Sequence, residues 1–124
     1  MQKKGSDIIV VKAVNSEKNR SFIIKYLSFR NGCFIAVSED LDAIGSISIS
    51  ISSSNKVNTA KVIPSKYDPV FVNTISERVS SMINGICIVS FHNKKQLHLV
   101  DMKAIMGEVL NIIREEHNET DNRE

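Results

Sequence analysis

The chain has 124 residues, 42% of them hydrophobic, with two cysteines and a formal net charge of +2. That length suits one domain whose core needs no disulfide or metal staple, and that composition is not that of a disordered chain. A near-balanced charge leaves no general footprint for nucleic acid, and no run of about 20 apolar residues is present to form a membrane-spanning helix.

The first strand is expected at Asp7 to Val14, "DIIVVKAV", followed by a turn cluster, "NSEKN". Arg20 to Phe29, "RSFIIKYLSF", reads as a second strand and Cys33 to Ser38 as a third. Asn31-Gly32 between them is a hairpin signal, since a type I′ turn needs positive φ at both central positions. "SEDLDA", Ser38 to Ala43, is an acidic loop. In "IGSISISISSSNK", Ile47, Ile49 and Ile51 alternate with Ser46, Ser48, Ser50 and Ser52. A period of two makes this a fourth strand with one greasy and one small polar face, not a flexible linker. Asn58 to Ile63, "NTAKVI", is the fifth strand, and Pro64 stops it.

Asp68-Pro69 starts a helix, with Asp as N-cap and Pro at the first helical position. Phe71, Val72, Ile75, Val79, Met82 and Ile83 form its apolar stripe, and Asn84-Gly85 ends it with Gly85 expected in the left-handed conformation. "ICIVSF", Ile86 to Phe91, is a sixth strand. Leu97 to Val100 reads equally as a short strand or as the entry to a second helix over Asp101 to Glu116. The rest, from His117 to Glu124, is expected to be a polar, frayed tail behind a single domain. The order is βββββαβα: an α+β fold with a largely antiparallel sheet of five to six strands and two helices on one face.

Pairing Phe29 with Phe34 through a two-residue Asn31-Gly32 loop sorts the hairpin into two faces. One carries Ile23, Leu27, Phe29, Phe34 and Ala36; the other carries Phe22, Ile24, Tyr26, Cys33, Ile35 and Val37. Both are apolar, and two helices cover only one. A second subunit packed sheet to sheet is the expected cover for the other. The serine row either lines such a contact, where small hydroxyls allow close approach, or faces water near a sheet edge. The expected dimer contacts are Ser46, Ser48, Ser50, Tyr26, Ile35 and Val37.

The charge is uneven: residues 1–66 carry 10 basic and 5 acidic groups, residues 67–124 carry 6 and 9. Such polarity can steer a protein partner, and two solvated faces are the plainer alternative. Cys33 and Cys87 sit in apolar runs and read as buried reduced thiols. The opening "MQKKGSD" is charged with no long apolar h-region behind it, so a cytoplasmic protein is expected, with the nucleus open.

Chemistry has little support. Ser90 and His92 share a strand face with Asp101 near in sequence, but a nucleophile turn and oxyanion hole are missing. Cys87, His92 and His98 lack the spacing of a metal site, and no glycine-rich phosphate cradle occurs. No catalytic, cofactor-binding or metal-binding residue is expected, and no nucleic-acid or membrane partner.

The segments "CFIAVSEDLDAIGSISISI", "AKVIPSKYDPVFVNTISERV" and "ICIVSF", followed by a terminal helix, resemble the proteasome assembly chaperone 3 family over roughly residues 31–116. The paralogous assembly chaperone 4 is similar in the closing strand and helix and in Tyr67-Asp68. The resemblance implies a non-enzymatic chaperone, dimeric with its paralog or with itself. Such a chaperone holds proteasome α-subunits while the α-ring of the 20S core forms, and leaves before maturation. The ending "DNRE" lacks the hydrophobic–tyrosine–any-residue tail of other proteasome binders, so contact is expected through a surface. The loop residues Glu39, Asp40 and Asp42 and the pair Lys66 and Tyr67 are the candidates. The alternative is a roadblock- or longin-like dimeric adaptor for a small GTPase, although those folds place a helix earlier than the sixth element.

Overall fold

In a computed structural model describing residues 9–122, six strands and two helices follow in the expected order. They are β1 (Ile9–Asn15), β2 (Ser21–Phe29), β3 (Gly32–Glu39), β4 (Ser46–Ser53), β5 (Lys56–Ile63), α1 (Pro69–Ile83), β6 (Ile86–His92) and α2 (Leu99–Asn122). Asp7 and Ile8, expected to open the first strand, lie outside the described residues. The sheet order is β1-β2-β3-β6-β4-β5. All neighbours are antiparallel except β3 and β6, which run parallel. The last strand enters the middle of the sheet, between the β1–β3 meander and the β4–β5 hairpin. Its near-continuous apolar run, "ICIVSF", is what a central strand requires.

Both helices pack on one face. Phe22, Ile24, Tyr26, Cys33, Ile35, Val37, Cys87, Val89 and Phe91 from the sheet meet Val72, Ile75 and Val79 of α1 and Ile105, Val109, Ile112 and Ile113 of α2 in one core. Phe71 closes edge-on against Phe91, ring centroids 5.8 Å apart. Ile75 and Val79 are fully buried, as their place on the apolar stripe requires.

The β2–β3 turn differs from its expectation. Phe29 pairs with Gly32 and Leu27 with Phe34, so Arg30 and Asn31 make the turn, two positions from the expected register. A shift of two keeps every side chain on its face. Neither Asn31 nor Gly32 has positive φ. Gly32 is needed for another reason: a Cβ there would stand 2.1 Å from the Ile86 carbonyl oxygen, where β6 comes in beside β3. The two-residue turn with both φ positive is Ser54-Asn55, between β4 and β5.

The helix ends also differ in detail. Asp68 stands at the N-cap of α1, but its side chain makes no cap hydrogen bond. Its Oδ2 instead accepts from Asn93 Nδ2 and from the Leu97 amide, both at 3.1 Å. At the other end Asn84, not Gly85, takes the left-handed conformation (φ 52°, ψ 52°). Leu99 and Val100 belong to the entry of α2, and that helix runs on to Asn122 through most of the expected tail. No glycine or proline interrupts residues 108–122, and extending a formed helix costs far less than starting one.

Candidate partner-binding rim

The serine row of β4 faces α1. Ser48 and Ser50 are buried and meet the Ser76 hydroxyl at 3.1 and 2.7 Å. Ser48 also donates to Asn73 Oδ1 at 2.9 Å, Ser50 pairs with Thr59 at 2.8 Å, and Thr59 donates to Glu77. Small side chains let the helix lie close over the strand, and its own polar groups satisfy the hydroxyls. This corrects the expected dimer face. Tyr26, Ile35 and Val37 are buried on the same helix-covered side, and burial pushes the Tyr26 phenol up to about 12. Ser46 sits at the start of that row, donating to the Phe91 carbonyl at 3.1 Å.

The opposite face carries the other hairpin set. Ile23, Leu27, Phe34 and Ala36 lie on it with Ile47, Ile49, Ile51, Ile86 and Ile88, by register. No element among the described residues covers it. Phe29 and Ile51 are 45% and 46% exposed, and Leu27, Phe34 and Ala36 line an apolar depression of about 210 Å³.

The connections divide by length. The short turns, Arg30-Asn31, Ser54-Asn55 and Asn84-Gly85, lie at one end of the sheet. The loops spanning residues 16–20, 40–45, 64–68 and 93–98 gather at the other. This loop-bearing rim carries the exposed side chains Leu41 and Ile44, 67% and 77% accessible.

A buried charge cluster ties the rim together. Arg20 donates Nε and Nη2 to the two carboxylate oxygens of Glu39, each at 2.8 Å. It also reaches Asp101 Oδ2 at 3.1 Å and the carbonyls of Gln96 and Lys95. The same Asp101 oxygen accepts from the His98 amide, and Glu39 Oε1 accepts from the Lys94 amide. The Arg20 hydrogen bonds hold the Glu39 carboxyl below its ordinary range. For Asp101, burial pushes upward, but Ser16, the His98 amide and Arg20 together bring it below its ordinary value. Arg20 is pushed up in turn, Glu39 being the largest cause.

The acidic loop is therefore largely spoken for. Glu39 is buried against Arg20, Asp40 pairs with Lys94, and Asp42 pairs with Lys25. Lys66 and Tyr67 lie across the rim, the Lys66 ammonium 5.5 Å from the centre of the Tyr67 ring. They help line a cleft of about 220 Å³ with Gly45, Ser46, His92 and Asn93. Gly45 is required there, because a Cβ would stand 2.1 Å from the Phe91 carbonyl oxygen. Sequence reasoning named Lys66 and Tyr67 but not His92 or Gly45 as their neighbours, since only the placement of β6 beside β4 joins them.

The Ser90 and Asp101 side chains are committed to different places, and neither is hydrogen-bonded to His92. Ser90 accepts from the Gly45 amide at 3.1 Å, while Asp101 is held by Arg20. Cys33 and Cys87 are register partners on β3 and β6, both buried and reduced with sulfurs 3.8 Å apart. Their contact and burial push the Cys87 thiol well up, so it is a poor nucleophile. Among the described residues no three His, Cys, Asp or Glu side chains converge as a metal-ligating group, and no helix is long and apolar enough to cross a membrane.

No family model matches this chain, and no curated protein matches it in sequence. Among solved structures, it is similar to a chain of a chaperone complex for yeast 20S proteasome assembly. The match covers 93% of this chain and 95% of that one, at 11% identity and a TM-score of 0.56. At that identity the likeness is one of fold.

Proposed function

We propose that this protein is a non-enzymatic chaperone of 20S proteasome assembly, acting in the cytoplasm. It binds α-subunits while the α-ring forms and leaves before the core particle matures. It works as a dimer, with a paralogous chaperone or a second copy of itself on the uncovered sheet face. The observation that carries the reading is the fold likeness, over nearly the whole chain, to a component of a yeast chaperone complex for 20S proteasome assembly. The bare apolar face supports it, since a monomer gains nothing from exposing such a surface and a second sheet at about 10 Å would bury it.

The test is capture of the tagged protein from its own cells, with partners identified by mass. Free α-subunits and a paralogous chaperone are expected, with the mature core particle absent. Recovery of a small GTPase in place of any proteasome subunit would overturn the reading in favour of an adaptor.

A further inference from the structure

The polar groups of Gly45, Ser46, Ser65 and Asn93 at the cleft have partners within the protein, and two nitrogen groups beside them are exceptions. The Gly45 amide is given to Ser90, the Ser46 hydroxyl to Phe91, and the Asn93 amide to Asp68 and Lys95. The Ser65 hydroxyl accepts from the Asp68 amide. The first exception is Lys66, which leans on the Tyr67 ring and has no carboxylate of the described residues within ion-pair distance. The one acid in its loop, Asp68, is buried and turned to Asn93 and Leu97. The second is His92 Nδ1, closed off from water and without a hydrogen-bond partner. A buried polar atom left unpaired is costly and marks a place where a group is missing.

Lys66 and His92 line one cleft, and an ammonium and an imidazole N–H are groups with which a carboxylate pairs. The Tyr67 ring, 5.5 Å from the Lys66 ammonium, favours placing that charge beside the cleft that both residues line. Ile44, next to Gly45 in the chain and 77% exposed, adds apolar surface close to the cleft. We propose that this cleft seats an acidic side chain of the bound proteasome α-subunit, paired with Lys66 and accepting a hydrogen bond from His92 after rotation of the ring. The proposal rests on the chaperone reading above and names the contact that reading leaves open.

The experiment measures affinity of the intact chaperone, with its dimer partner present, for each separately produced α-subunit. Lys66→Glu is expected to weaken the preferred subunit by about tenfold or more, and His92→Phe to weaken it in the same direction. Lys56→Glu, a change at another exposed lysine at the far end of β5, should stay within about twofold, since a distant charge is screened. An Asp or Glu to Lys change at one position of the subunit should restore binding to the Lys66→Glu variant. Equal affinities of the Lys66→Glu and Lys56→Glu variants, with unchanged melting temperature, would overturn the seat and leave the chaperone reading standing. So would the lack of any rescuing charge swap. Absence of binding by the unaltered protein to every α-subunit would overturn both.

Discussion

Arg20 and Glu39 are 19 residues apart in sequence and face each other as a two-pronged pair, with both hydrogen bonds at 2.8 Å and both side chains about 95% buried. The guanidinium also lies 5.6 Å from the Phe22 ring and reaches the loop between β6 and α2 at Lys95 and Gln96 and the first turn of α2 at Asp101. One side chain thus joins the start of β2, the end of β3 and the entry to α2, three of the elements that frame the rim.

Removing that side chain strands two buried carboxylates. Arg20→Ala is expected to destabilise the fold by about 3–5 kcal/mol, the cost of breaking a buried pair from one side. Replacing Arg20, Glu39 and Asp101 together with Met, Leu and Leu should recover most of the loss. Urea unfolding of the two variants beside the parent protein checks this.

The same cluster sets a pH dependence. Glu39 and Asp101 titrate below their ordinary values of 4.5 and 3.8 when folded, so the unfolded chain takes up protons first as pH falls. Their stabilisation is complete above the ordinary values and is lost as pH drops through the folded ones. Glu39→Gln should therefore be less stable near neutrality and lose less stability on acidification. Urea midpoints recorded down a pH series will show the flatter acid limb.

Ser76 bridges Ser48 and Ser50 beneath α1. Ser76→Ala leaves each of those hydroxyls one remaining partner and should cost about 1 kcal/mol. Ser76→Leu must force the helix off β4 and should cost about 1–3 kcal/mol. Thermal melts of the pair separate the lost hydrogen bonds from the lost fit.

Phe34 belongs to the uncovered face and plays no part in the helix-covered core. Phe34→Asp is expected to leave the fold intact and shift the protein to its 13.9 kDa monomer. Light scattering beside circular dichroism reads both. A parent protein that is already monomeric would remove the dimer from the proposed function.

The kinds of elements and their order were legible in the sequence, because they rest on local rules. Alternating Ile and Ser give a strand, an apolar stripe from Phe71 to Ile83 gives a helix, and Asp68-Pro69 and Asn84-Gly85 bracket it. The existence of two apolar sheet faces was legible too, since side-chain period alone assigns Leu27 and Phe34 to one side and Tyr26 and Ile35 to the other. Which face the helices take was not, because it depends on where the chain crosses from β5 to β6. The tertiary structure lays α1 over the serines, turning Ile47, Ile49 and Ile51 to the open side with Leu27 and Phe34. It also inserts β6 between β3 and β4, which brings His92 to Gly45 and, with the neighbouring loop, to Lys66. The pairing of Arg20 with Glu39 and Asp101 is of the same kind: no local rule relates residues 19 and 81 positions apart. The antiparallel pairing of β2 with β3 brings Arg20 to Glu39, and the parallel pairing of β3 with β6, between strands far apart in the chain, brings the entry to α2 and Asp101 alongside.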